Sequence, residues 1–140
     1  MGNRMVAVVG VAVVVAAGVS GCAQAKTVPR KAARVTVDGD THTTRPAACS
    51  QERSYRTLDI RDQGGHVQAV VLYSGDRVIP QWVKIRNVAG FNGSAWEGGV
   101  GEIHVELARG KYTITGSAYG ISNSNPNKVV TTDFTIVAEC

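Results

Sequence analysis

The chain has 140 residues, 44% of them hydrophobic and 6% aromatic, with sixteen glycines and a formal net charge of +4. That length suits one domain, with a core built mainly from Val, Ile, Leu and Ala and with many turns. The surplus charge lies near the start: over Val35–Cys140 ten Lys and Arg face eleven Asp and Glu, which argues against the basic face of a nucleic-acid-binding domain.

Met1 to Met5 carry one positive charge, Arg4, and Val6 to Val19 is unbroken apolar or small. Val19-Ser20-Gly21-Cys22 follows. A positive stretch, an apolar stretch and a small-residue cleavage site in that order form an export signal. The run is short of the roughly 20 residues that a membrane-spanning helix needs. A cysteine directly after small residues resembles the bacterial lipobox, in which the thiol receives diacylglycerol and cleavage leaves the modified cysteine first. An ordinary secretory leader with a chance cysteine is the alternative. The expected organisation is a cleaved signal over 1–21, a lipidated Cys22 with its tether over 22–34, and a β-domain over 35–140.

Lys26, Arg30, Lys31 and Arg34 make the tether basic, with no acid among them, and Pro29 favours an extended chain. Next to a lipid anchor such a segment suits anionic headgroups. A solvated linker that happens to be basic explains it as well. With Cys22 lipidated, Cys49 and Cys140 remain, and an even pair in an oxidising compartment reads as a bridge. A loop of that length contributes about 4–5 kcal/mol in the chain-entropy account. Two free buried thiols are the other possibility.

From Val35 onward apolar residues recur with period two, the signature of strands. Val35–Asp38 begins the series, with Gly39-Asp40 as a turn. Thr57–Arg61 places Leu58 and Ile60 on one side. Gln63-Gly64-Gly65 predicts a hairpin turn. Val67–Tyr73 is apolar on both faces except Gln68, which suits a strand covered on both sides. Trp82–Arg86 turns Val83 and Ile85 inward, and Pro80 just before it marks a strand start or an edge. Ala89-Gly90 and Asn92-Gly93 are further turn signals. Glu102–Leu107 alternates cleanly, with Ile103, Val105 and Leu107 expected to be buried. Arg109-Gly110 turns tightly into Lys111–Thr115, and Ser122–Asn127 reads as a polar loop. Asp133–Cys140 closes the chain with Phe134, Ile136, Ala138 and Cys140 on one face, which would make the bridge an interior one. The expected class is all-β and antiparallel, a sandwich or partly closed barrel of eight or nine strands with one disulfide.

Little in this pattern points to catalysis. His104 shares a face with Glu102 and Glu106, an arrangement open to a surface metal but equally the outward half of an alternating strand. His66 follows a Gly-Gly turn and His42 lies in a Thr-rich turn, neither at ligand spacing. Gly98-Gly99-Val100-Gly101 lacks the Lys-Ser or Lys-Thr of a phosphate-binding loop, so it reads as a β connection. Asn92-Gly93-Ser94 fits a glycosylation sequon and is explained by a turn. No Gly-x-Ser-x-Gly elbow is present. Glu102 and Glu106 would lie roughly 13 Å apart along a strand, too far for a retaining glycosidase pair. Trp82 falls on the face opposite Val83 and Ile85, so Trp82 and Trp96 are candidates for a contact surface.

Several pieces carry a family likeness: Val35-Thr36-Val37-Asp38-Gly39 shortly before a cysteine, Ala69-Val70-Val71-Leu72, Tyr112-Thr113-Ile114-Thr115-Gly116 continuing to Ala118 and Gly120, Asn125-Pro126, and Phe134 and Ile136 before Cys140. In order and spacing they resemble the mycobacterial nineteen-kilodalton lipoprotein antigens across essentially the whole mature domain. The resemblance implies a surface-exposed, acylated envelope protein with a Cys49–Cys140 bridge and no catalytic residues. It also implies an antigen whose acylated terminus engages host innate receptors. The tether departs from the family, being short and basic with Thr27 as its only hydroxyl residue, so tether glycosylation does not carry over. The leading expectation is a non-enzymatic surface lipoprotein without cofactor or metal. A lipid- or glycolipid-binding carrier module is the alternative, and a small hydrolase the remote third.

Overall fold

The computed structural model describes residues 29–140, so Cys22 and Lys26 lie outside the described residues. The described chain is all β: β1 (Arg34–Val37), β2 (Asp40–Thr43), β3 (Ala48–Glu52), β4 (Tyr55–Arg61), β5 (His66–Ser74), β6 (Arg77–Val88), β7 (Phe91–Trp96), β8 (Glu102–Ala108), β9 (Lys111–Ser122) and β10 (Asn125–Glu139). Every pairing is antiparallel, and the spatial order is β2-β1-β10-β9-β7-β6-β5-β4-β3. β9 is long enough to serve two neighbours on one edge, β8 along its first half and β7 along its last residues.

The sheet does not close into a hydrogen-bonded barrel. Its outermost strands are nevertheless consecutive in the chain, since only residues 44–47 separate β2 from β3. That link is held down: the Thr44 amide donates to the Ala33 carbonyl at 2.8 Å, and Ala47 is 2% exposed. The sheet therefore curls until its ends meet, and its concave side becomes the core. Val35 and Val37 of β1, Leu58 and Ile60 of β4, Val67, Ala69 and Val71 of β5, Val83 and Ile85 of β6, Ile114 of β9 and Ile136 of β10 are all at most 1% exposed. These are the inward residues of each alternation, and small β-branched side chains fill a narrow curled interior well.

Two-residue turns set the registers. Asp38 and Gly39 (φ 52° and 82°), and Arg109 and Gly110 (φ 51° and 75°), hold the paired positive angles of a type I′ hairpin turn. The first turn thus sits one residue earlier than Gly39-Asp40, because Asp tolerates the left-handed region and Asp40 is needed to pair with Val37.

Ten strands form where the alternation suggested eight or nine. β2 and β3 are almost wholly exposed edge strands with no apolar alternation to reveal them, and β2 carries His42, which is not in a turn. β7 was masked by Asn92-Gly93, which does not turn: Gly93 pairs with Gly120 of β9 and Ile85 of β6, and only Ala89-Gly90 reverses the chain. The expected loop over Ser122–Asn127 shrinks to Asn123-Ser124, because β10 starts at Asn125. Leu107 is 37% exposed rather than buried, since β8 runs past the end of the core. Pro80 lies inside β6, next to a register shift opposite Val70 and Val71 that accommodates its missing donor.

Gly116 and Gly120 of β9 are required by close approach. A Cβ at Gly116 would run into the Glu102 carbonyl of β8, and one at Gly120 into the Asn92 carbonyl of β7. One strand passes tightly against two neighbours there, and only glycine leaves the room.

Candidate contact surface

The tether meets the domain at the disulfide. Cys49 and Cys140 are bonded with Cα atoms 5.8 Å apart, joining β3 at one end of the sheet to the end of β10. The bridge is not interior: Cys140 follows β10 as an exposed residue and Cys49 is half-buried. Parity alone placed Cys140 on the core side, but the core has ended by then. The bond is a rim staple that ties the β3 edge to β10, two strands in from the opposite edge. Beside it Arg30 donates from Nη1 to the Ala47 carbonyl at 3.1 Å, and Lys31 Nζ lies 3.3 Å from Glu139 Oε1. The ion pair is largely exposed and contributes little, whereas the Arg30 bond is part-buried. Arg34 opens β1 with its side chain exposed.

Outward positions of β3–β7 line up in cross-strand rows. Thr57, Val70, Trp82 and Trp96 form one, as the pairings Thr57–Val70, Val70–Trp82 and Trp82–Trp96 require. Tyr55, Leu72 and Ile79 form the next. The indoles sit with centroids 6.0 Å apart and planes inclined by 30°, and Lys84 Nζ lies 4.8 Å from one centroid and 5.6 Å from the other. The negative faces of both rings hold that ammonium, a contact of about 0.5–1 kcal/mol at an exposed site. Trp96 remains 42% exposed and Tyr55 46%. The expectation that β5 is covered on both sides fails: among the described residues no strand lies over its outer face, and Val70, though 9% exposed, stands outside the core cluster.

A polar cluster that sequence spacing did not reveal borders this face. Asp59 Oδ2 lies 2.9 Å from His66 Nε2 and accepts from Gln68 Nε2 at 3.0 Å, while Oδ1 accepts from Arg61 Nε at 3.0 Å. The two-residue alternation of β4 and β5 brings these side chains together, because Asp59 pairs with Gln68 and Arg61 with His66. Partial burial pushes the Asp59 carboxyl up, but the bonds from His66, Gln68 and Arg61 outweigh it and hold the group below its ordinary value. A carboxylate so fully engaged is a weak general base.

Inside, Tyr73 and Tyr112 share a hydroxyl–hydroxyl hydrogen bond, with the Arg56 side chain nearby. Burial first, and then the bond to Tyr73, push the Tyr112 phenol well above its usual value. Arg56 Nε is buried without a partner among the described residues. His104 stands between Glu102 and Glu106 on the outward side of β8, and among the described residues no three His, Cys, Asp or Glu side chains are grouped to hold a metal. The cavity between β1, β2 and the β4–β5 turn, lined by Val35, His42, Ile60, Asp62 and Val88, is about 30 Å³, the space of a single water and far below a ligand pocket. A hollow of about 410 Å³ beside it is lined by Thr43, Thr44, Arg45, Arg61, Asp62 and Gln63, polar side chains rather than the apolar groups that a lipid site needs.

A disulfide-tied β-domain with an aromatic outer face suits an extracytoplasmic module, since such bonds are rare in the reducing cytosol. The sequence model of the Mycobacterium 19 kDa lipoprotein antigens matches residues 26–140. The chain is 71% identical over 140 residues, the full length of both proteins, to a probable lipoprotein LppE of Mycobacterium tuberculosis (strain ATCC 25618 / H37Rv). It is 33% identical over 140 residues to a putative lipoprotein of Mycobacterium avium subsp. hominissuis (strain TH135), spanning 97% of that protein. The chain belongs to the mycobacterial 19 kDa lipoprotein antigen family, and with that membership goes its place: lipid-anchored in the bacterial envelope on the extracytoplasmic side.

Proposed function

We propose that this chain is a non-enzymatic envelope lipoprotein whose acyl chains are carried on Cys22 and whose β-domain is a displayed antigen and contact module. The observation that carries the reading is Val19-Ser20-Gly21-Cys22 at the end of an apolar leader, in a chain of a lipoprotein family. Residues 1–21 are then the discarded signal, and 22–34 the tether. Two or more acyl chains give stable anchoring where one is marginal. Lys26, Arg30, Lys31 and Arg34 add attraction to anionic headgroups of roughly 1 kcal/mol each when close to the surface.

The absence of enzymatic work is supported by the engaged Asp59, by the lack of a nucleophile–base pair in the sequence motifs, and by family membership. The acylated terminus is the part that host innate receptors recognise, while Trp82 and Trp96 form the contact surface of the domain. Replacing Cys22 by Ser tests this directly. Membrane partitioning and receptor signalling should both be lost while the domain still folds with its bridge, and a variant that partitions like the parent refutes the reading.

A further inference from the structure

Trp82 and Trp96 are large apolar groups on an outward face that no strand among the described residues covers, and the next row adds Tyr55, Leu72 and Ile79. Lys84 and Arg86 stand on the same face of β6, two and four residues beyond Trp82. Indole rings with an apolar body and an N–H, set beside basic side chains, are what settles at the boundary between headgroups and acyl chains. The outward side of the other half has the opposite character: Glu102 pairs with Ser117, which pairs with Asp133, and Glu106 pairs with Thr113. Asp59 with Arg61 on the first side and Lys111 on the second offset part of this, but Lys84 and Arg86 against Glu102, Glu106 and Asp133 still make the first side the one that an anionic surface favours.

Residues 23–33 separate Cys22 from β1, and eleven residues reach at most about 40 Å, less while Arg30, Lys31 and Ala33 stay docked on the domain. A domain on so short a leash meets its own membrane at high effective concentration, so a weak contact suffices. We propose that the β-domain rests on the lipid surface that holds its anchor, with Trp82 and Trp96 at the acyl boundary and Lys84 and Arg86 against anionic headgroups. This rests on the reading of Cys22 as the acylated residue.

The chain contains two tryptophans, both in this patch, so intrinsic fluorescence reports it without labelling. The acylated protein is reconstituted into phosphatidylcholine–phosphatidylglycerol vesicles, with plain or brominated acyl chains, and flotation is scored separately. We expect flotation, a blue-shifted emission, and a loss of about twofold in the brominated vesicles, as indoles seated at the acyl boundary require. Lys84→Glu with Arg86→Glu should restore most of the emission while flotation persists. Flotation with equal emission in both vesicles overturns the proposal and leaves the anchor standing. No flotation and no quenching overturns both. A blue shift that grows with protein density but ignores bromine assigns the patch to a second copy of the chain and overturns the proposal as well.

Discussion

The outward side of β4–β7 and the outward side of β8–β10 are built by the same alternation over the same core, yet they carry different chemistry. Along the stretch where β8 runs, the second is what water asks of a strand: Glu102, His104, Glu106, Thr113, Thr115, Ser117, Asp133 and Thr135, with exposed apolar groups (Tyr119, Ile121 and Val129) only further along β9 and β10. The first breaks that rule with Val70, Leu72, Ile79, Trp82 and Trp96. Folding needs only the inward half of each pattern, so a departure from polarity on the outward half is information about contact rather than about stability.

The largest effect should come from the bond that ties the β3 edge of the curled sheet to β10. Cys49→Ala with Cys140→Ala leaves both outer faces intact but should lower stability by about 2–5 kcal/mol, read from denaturant or thermal unfolding. A change within experimental error would mean that the loop over 44–47 closes the sheet unaided.

Gly116→Ala and Gly120→Ala probe the strand shared by both halves. Each drives a methyl into a backbone carbonyl, and each should cost about 1–3 kcal/mol with some loss of β8 or β7 pairing, visible in amide exchange. A neutral Gly116→Ala would show that β8 can back away from β9.

Two titrations separate the interior from the aromatic side. The Tyr112 phenol ionises late in the folded chain, so the native state holds a proton that the unfolded chain gives up. Stability should be intact below about pH 10, the unfolded phenol value, and should fall as pH rises beyond it. Tyr112→Phe should flatten that alkaline limb. Asp59 has the opposite sign. Its folded value is depressed, so its contribution is present above the unfolded carboxylate range and is lost as pH falls through the lower folded value. Asp59→Asn should remove that part of the acid limb, and an unchanged acid profile would deny the cluster any energetic role.

The smallest stability effect is expected at the face that sets the comparison. Trp96→Ala gives up a cross-strand aromatic pair and should cost only about 0.5–1.5 kcal/mol. A loss as large as that of the disulfide would make the tryptophans part of the fold and erase the distinction between the two sides.

Much of this was legible in the sequence. Period-two alternation placed the inward residues of β4, β6, β9 and β10, because burial of one face leaves a strong mark. The outward position of Trp82 followed from the same parity. Strands with no buried face left no mark, so β2 and β3 went unread. Asn92-Gly93 looked like a turn because local chemistry cannot announce that two neighbouring strands will need its missing side chain. The Asp59–His66–Gln68 cluster depends on register across β4 and β5, and Cys140 on where the core ends. Both are properties of the assembled sheet rather than of any one segment.

The central claim is that a lipid on Cys22 holds this domain to the envelope. Intact mass measurement of the protein extracted from mycobacterial membranes tests it most directly. The account predicts a chain beginning at Cys22 and heavier by a diacylglycerol-type modification, with Cys49 and Cys140 oxidised. An unmodified first residue, or a start at any other position, would contradict it.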